Sequence, residues 1–218
     1  FFWKILVDGY SIPHYRFRWC VNWLKEKPMR KFLEREIGSK SLVELSGIRR
    51  DESPIRERYF TQRGGSMIQI KSKNRVAFAP IFDWTTKDVF KYLETHTPVW
   101  GGSFEWIRDI YKREDMRYGC VLCTVIKKEK VLDPNDPLDR KFMELKSILI
   151  KISSDPRNRE KKKNGKLGRL KIEARIKLAK IIEEKYLEIF PNDTKKRILR
   201  AIEVLKKSAS QQYLNVKI

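Results

Sequence analysis

Three cysteines are the residues whose type and spacing could do chemistry in this sequence. Cys120 and Cys123 flank two apolar residues in the run YGCVLCT, and Cys20 stands far upstream in the run RFRWC. A C-x-x-C spacing lets two thiolates turn toward one metal ion or cluster, but two ligands do not complete a site. We therefore expect a fold that brings Cys20 to the C-x-x-C pair and supplies three sulfur ligands.

Two kinds of metal centre suit three thiolates, and one further interpretation needs no metal. On a [4Fe-4S] cluster, three thiolates leave one iron open for an exogenous sulfide or a substrate. A zinc ion needs a fourth protein ligand, which His14 or an acidic residue could supply. The simplest alternative is a pair of buried structural thiols plus a lone core Cys20. An odd cysteine count without signs of secretion makes a disulfide framework a poor explanation.

A second chemical cluster is the run RRDESPIR at residues 49–56. Pro54 is typical of the first position of a helix, and the free N–H groups at a helix start favour an anion. Arg49, Arg50 and Arg56 add forked donors that match phosphate or sulfate oxygens. The run therefore predicts an anion site; the alternative is a surface turn with helical pairing between Glu52 and Arg56.

The elements that must position these residues alternate between strands and helices. Residues 42–48 (LVELSGI) predict a strand, and residues 66–70 and 75–81 predict a β-hairpin or a strand after a loop. Thr85 and Asp88 form a capping-box pattern that predicts a helix over 86–95, and a further helix over 104–113 leads to the C-x-x-C. Around residues 17–32 we expect a helix or loop-helix interrupted by Pro28.

The sequence is strongly basic: 49 Lys and Arg against 28 Asp and Glu give a formal charge of +21, which favours a polyanionic partner.

After a linker at 133–137 the sequence pattern is helical, with apolar residues from Leu167 to Ile181 stepping by three and four. Residues 157–180 hold eleven Lys or Arg and two Glu. This stretch predicts nucleic-acid contacts, with a solvated helix face as the alternative. The predicted contacts are Arg157, Arg159, Lys161, Lys162, Lys163, Lys166 and Arg169.

Four motifs together resemble a known family. The runs RWC…VNWLKEKP, GIRRDESPIR, PIFDWTTKDVFKYL and YGCVLCTV occur in the order and spacing of the PAPS-reductase-like branch of the adenine-nucleotide alpha-hydrolase superfamily. Within that branch, GCxxCTV and the later RNRE…GKL…EAR look most like the DndC-type sulfurtransferases of DNA phosphorothioation. The resemblance covers about residues 12–182, and the joint occurrence is far more specific than any single motif.

The resemblance implies an α/β fold: a partial adenine-nucleotide-alpha-hydrolase-like sheet with flanking helices at 1–132 and a basic helical region at 133–218. It implies catalytic or substrate roles for Arg49, Glu52 and Ser53, with Arg50 and Arg56 as further substrate-binding residues. It also implies cluster ligation by the three cysteines. Asp83 and Trp84 would shape the nearby sheet edge.

The function that the resemblance implies is ATP-dependent sulfur transfer to DNA or tRNA, with a [4Fe-4S] cluster and a sulfur donor such as a cysteine desulfurase. The nucleotide loop of the family, of the SGGxDS kind, is expected upstream of Phe1, so we expect a fragment that does not hydrolyse ATP unaided. A PAPS or APS reductase is one alternative, although residues 211–218 lack the tail cysteine that reductases often carry. A zinc-stabilised nucleic-acid-binding module without catalysis is another. We expect the protein in the cytoplasm.

Overall fold

The computed structural model of the chain describes residues 1–62, 67–111, 119–126, 129 and 132–215. The side chains of residues 55, 56, 59, 60 and 212–215 lie outside this description. The chain forms two compact units: unit 1 comprises 1–26 together with 119–218, and unit 2 comprises 27–118. Residue 132, where the sequence suggested a domain boundary, falls within unit 1, and that domain division stays a prediction.

The elements follow in chain order. The helices are α1 (Phe2–Leu6), α2 (Trp19–Val21), α3 (Lys27–Glu36), α4 (Pro54–Thr61), α5 (Thr86–Thr95), α6 (Glu105–Ile110), α7 (Pro137–Ser154), α8 (Ile172–Ile181) and α9 (Asn192–Asn215). The strands are β1 (Leu42–Leu45), β2 (Ile68–Ser72), β3 (Arg75–Phe78), β4 (Arg159–Lys161) and β5 (Leu167–Leu170). Within the described residues, no helix is both long and apolar enough to cross a membrane.

Unit 1 is built around the amphipathic helices α7, α8 and α9. On α9 the buried residues Ile198, Ile202 and Leu205 step by four and three, so one stripe of the helix faces the core. The start of α7 has Pro137 at its first position, and the Asp136 side chain accepts from the next two backbone N–H groups. Burial of these apolar stripes provides the main stabilisation of the unit.

The N-terminal residues are built into this helical core. Helix α1 packs on α8 and α9, and its side chains Ile5 and Leu6 are fully buried. The Ile12 N–H donates to Ser153 Oγ at 3.1 Å, and the Leu170 N–H donates to the Gly9 carbonyl at 2.7 Å. Unit 1 therefore joins segments that are distant in sequence, which positions residue 20 against the region around residue 120.

Two expectations about this part of the chain are wrong. Residues 167–170 form strand β5, which pairs antiparallel with β4, so the apolar steps there do not belong to a helix. A tight turn at Gly165, with φ of +75°, reverses the chain and makes a hairpin possible. The helical segment continues past Pro28, because α3 follows directly on a π-helical stretch at Asn22–Glu26, and such a stretch accommodates a residue that disturbs the regular hydrogen-bond ladder.

Unit 2 holds a three-stranded sheet in the order β1–β3–β2, with β1 and β3 parallel and β2 and β3 antiparallel. This confirms the mixed α/β fold class and the predicted hairpin. Strand β1 ends at Leu45, earlier than expected. Helix α5 has the predicted bounds and capping box, with Thr85 as N-cap and Asp88 completing it. Residues 66, 112 and 113, which fall in the predicted hairpin and in the helix over 104–113, lie outside the described residues.

Candidate functional site: a thiol-lined cavity and an arginine turn

All three cysteines line one cavity of unit 1. This cavity, which we call the thiol cavity, has a volume of about 630 Å³ and is walled mainly by apolar side chains. Its walls include Phe1, Leu24, Val121, Phe142 and Phe190, and Arg197 of α9 is the charged residue among the described lining residues. The mostly apolar wall lowers the local polarity around Cys20 and Cys123, which are partly buried, whereas Cys120 is exposed.

Local hydrogen bonds place each thiol. Cys20 lies in α2 beside the buried Trp19, whose Nε1–H donates to the Ser11 carbonyl at 2.8 Å. The C-x-x-C segment forms a turn closed by the Cys123 N–H donating to the Cys120 carbonyl at 2.8 Å. The next residue, Thr124, donates its hydroxyl to the Pro13 carbonyl at 2.6 Å. This last bond joins the C-x-x-C segment to the stretch that leads into α2.

The environment of Cys20 differs from that of a free thiol in water. Burial raises the pKa of the Cys20 thiol above its usual value, and the charges of Cys120 and Cys123 add to the rise. Cys120 is exposed, whereas Cys20 and Cys123 are partly buried. The three thiols thus line the same cavity, with Cys120 the most accessible from outside.

The donor set suits a soft metal or an iron-sulfur cluster, because thiolates are the ligands that such centres prefer. Within the described residues, however, no group of three His, Cys, Asp or Glu side chains is already placed to hold a metal ion. His14, the possible fourth zinc ligand, is exposed and pairs with Phe17 through backbone hydrogen bonds. Metal ligation by the three cysteines therefore stays a prediction.

The arginine cluster of unit 2 forms an internally paired turn, which we call the arginine turn (residues 49–53). The Arg49 guanidinium is largely buried; it donates to Thr86 Oγ1 at 3.4 Å and lies 3.8 Å from the Asp51 carboxylate. Asp51 in turn accepts from the Thr86 N–H at 3.0 Å, at the start of α5. Arg50 pairs with Asp83 at 3.1 Å.

These contacts define what the arginine turn can do. An incoming phosphate or sulfate would compete with the Asp51 and Glu52 carboxylates for Arg49, which lies 4.0 Å from Glu52. Ser53 is extended and precedes α4, so Pro54 does begin a helix as expected. The Arg56 side chain lies outside the described residues. The substrate roles of Arg49, Arg50, Arg56, Glu52 and Ser53 stay predictions.

Sequence reasoning missed several partners of these residues. It did not identify Thr86 and Asp51 as the groups that hold Arg49, although Thr86 is the first residue of a helix whose cap was predicted. It also missed Arg197, and it included Thr124 only as a letter of the GCxxCTV motif, because the roles of both residues depend on contacts between distant segments.

The predicted nucleic-acid-binding residues fall on β4, β5 and their flanks. We call residues 157–171 the basic hairpin. Lys161, Lys162, Lys163 and Lys166 are exposed around its tip. Arg157 pairs with Asp155 at 2.8 Å, and Arg169 is exposed on β5. Arg159 instead points its guanidinium at protein carbonyls, donating to Gly168 and to Ser153, each at 2.9 Å.

Comparison with known proteins identifies the family. An uncharacterized protein of Methanocaldococcus jannaschii, MJ0066, is 29% identical over 122 residues, covering 56% of this chain and 23% of that relative. The chain thus spans about a quarter of the length of the curated relative it matches. No solved structure matches the chain. Residues 6–126, which include all three cysteines and the arginine turn, match the phosphoadenosine phosphosulfate reductase domain. The chain therefore belongs to the phosphoadenosine phosphosulfate reductase domain family, a family of enzymes with sulfonucleotide or sulfur-transfer chemistry.

Proposed function

We propose that this chain is the substrate-handling part of an enzyme that transfers sulfur to a nucleic acid in an ATP-dependent reaction. The observation that carries the proposal is the thiol cavity, where three cysteines from two distant segments line one mainly apolar space. Membership of the reductase domain family supports sulfur chemistry in general. The formal charge of +21 supports a polyanionic acceptor.

In this proposal Cys20, Cys120 and Cys123 hold a [4Fe-4S] cluster. When bound, that cluster would supply iron that can take up sulfide. The chain's own residues would do the rest: the apolar walls of the thiol cavity would lower the polarity around the partly buried Cys20 and Cys123, and Arg197 adds a positive charge to the lining.

The arginine turn is proposed to hold the activated phosphate of the acceptor. ATP, bound elsewhere in the intact protein, would transfer its adenylyl group to the acceptor oxygen and release pyrophosphate; sulfide would then attack the activated atom, form the new bond to sulfur and release AMP. Arg49 and Arg50, with Arg56, would then stabilise the charge of the departing phosphate. Because Arg49 is now paired with Asp51, substrate binding would have to exchange that carboxylate for the phosphate.

The first experiment is metal analysis after anaerobic purification of wild type, Cys120→Ala and Val121→Ala. We expect wild type to be brown with iron and acid-labile sulfide, and Cys120→Ala to lose both. Val121→Ala changes the neighbouring residue of the same turn but keeps every thiol, so it should retain the chromophore. Full iron in Cys120→Ala would remove that residue from the ligand set. A colourless wild type with zinc and no iron would favour the zinc-stabilised binding module.

The family match also favours a second candidate, sulfonucleotide reduction, because the matching domain takes its description from that reaction. Sulfite release from PAPS or APS with a thioredoxin-type donor would support a reductase. Incorporation of ³⁵S from a cysteine desulfurase into DNA or tRNA, dependent on ATP, would support sulfur transfer. The two assays on the full-length protein separate the candidates.

A further inference from the structure

We propose that the basic hairpin binds the phosphate backbone of double-stranded nucleic acid, independently of sequence. The acceptor role of that duplex rests on the proposed function, whereas the binding itself does not.

The shape of the hairpin is that of a two-stranded ribbon with a tight tip. Arg159 opposes Leu170 and Lys161 opposes Leu167 in the antiparallel register. The tip is closed by the Lys162 N–H donating to the Lys166 carbonyl and by the Gly165 N–H donating to the Lys162 carbonyl, both at 2.9 Å. A two-stranded ribbon is narrow enough to follow or enter a groove of a duplex.

The charges at the tip are not neutralised by the protein. Lys161, Lys162, Lys163 and Lys166 are exposed, and no ion pair joins any of them to an acidic side chain in the described part of the chain. Other lysines of unit 1 are paired, for example Lys206 with Glu183 at 2.9 Å. Four unpaired ammonium groups on one short turn are suited to displacing counterions from a phosphate backbone.

The base of the hairpin is fixed, so the tip projects from a rigid support. Leu170 is 1% exposed in the core of unit 1, and its N–H donates to the Gly9 carbonyl. The Lys171 N–H donates to the Asn158 carbonyl at 2.9 Å, and Arg159 ties the strands to the end of α7. A rigid support lowers the conformational entropy that is lost when the tip binds.

The composition of the hairpin favours a duplex over a single strand. Proteins that bind single strands add aromatic side chains on which bases stack, and residues 157–171 contain no aromatic residue. Phosphate contacts alone favour the ligand with the higher charge density. A duplex carries one charge per roughly 1.7 Å of its axis, against one per roughly 3.4 Å for each strand.

The test compares two quadruple Lys→Gln variants of the full chain by fluorescence anisotropy with a labelled 20-base-pair duplex, without ATP. The hairpin variant changes Lys161, Lys162, Lys163 and Lys166. The control variant changes four exposed lysines of unit 2, namely Lys31, Lys40, Lys73 and Lys87. Both lower the formal charge of +21 by four, so a purely global charge effect would weaken binding equally. Circular dichroism and thermal melts check that both variants stay folded.

We expect the hairpin variant to lose at least ten-fold in affinity at low salt. Its slope of log K against log salt should be less steep than that of wild type by about 3 to 4, the value for four lost phosphate contacts. The control variant should stay within about two-fold of wild type. Equal loss in both variants, tighter binding of a matched single strand, or equally tight binding of anionic phospholipid vesicles would overturn the proposal. The binding assay involves no sulfur chemistry. The hairpin can therefore be shown to bind a duplex even if the metal analysis refutes sulfur transfer.

Discussion

Replacement of Arg159 by Met tests whether this residue holds unit 1 together. Its guanidinium donates to the carbonyls of Gly168 and Ser153, and Ser153 lies in the last turn of α7, where carbonyls have no helical donor. Burial lowers the pKa of Arg159, in keeping with a guanidinium drawn into the protein. Arg159 thus links the hairpin to the end of α7.

The expected cost follows from the two carbonyls that lose their donor. A buried acceptor left without a partner costs about 1 to 3 kcal/mol, and Met retains most of the packing of the aliphatic stem. Because Gly168 is only partly buried, water can replace some of that bond, and we expect a total of about 2 to 4 kcal/mol. For a chain of this size, at about 2 to 4 °C per kcal/mol, the melting temperature should fall by roughly 4 to 16 °C.

The assay is urea unfolding and thermal melting followed by circular dichroism, with amide hydrogen exchange at Leu170 as a local reporter. The matched control is Lys161→Met, two residues along the same strand, where the side chain is exposed and has no ion pair within the described residues. We expect Lys161→Met to change stability by less than about 0.5 kcal/mol. Equal stability of the two variants would show that the two hydrogen bonds of Arg159 do not stabilise unit 1.

Four further predictions concern single contacts. Gly9→Ala should destabilise unit 1 by about 1 to 3 kcal/mol in urea unfolding, because Gly9 has φ of +70° and a Cβ there would lie 3.3 Å from the Leu170 carbonyl oxygen. Leu145→Ala, at a fully buried site, should lower the free energy of unfolding by about 2 to 5 kcal/mol. A smaller decrease in the same urea measurement would mean that neighbouring side chains move in and fill the cavity. Thr85→Ala should cost about 1 kcal/mol, read from thermal melts, by removing the N-cap of α5. Hydrogen bonds from the Thr85 backbone and side chain hold the pKa of the Asp88 carboxyl below its usual value. The ionised carboxylate therefore stabilises the folded state above the unfolded-state pKa, and this stabilisation is lost as pH falls through the lower folded-state pKa. The melting difference between wild type and Asp88→Asn should therefore shrink in acid; a pH-independent difference would contradict this.

The sequence alone predicted features whose interactions are local. The capping box at Thr85 and Asp88 involves residues three positions apart, so neither bond depends on the rest of the fold. The same holds for Pro54 at the start of α4 and for the β2–β3 hairpin. The family resemblance also came from short motifs, and it was confirmed by the domain match over residues 6–126.

How distant segments of the chain combine is visible only in the tertiary structure. It placed residues 1–26 in one unit with the C-terminal helices, and it brought Cys20 to the same cavity as Cys120 and Cys123. It also turned Arg159 inward to cap α7 while leaving the neighbouring lysines in solvent. The sequence of a basic run does not show which of its residues will be turned into the protein. That depends on nearby carbonyl acceptors, and only the folded chain brings these carbonyls within reach.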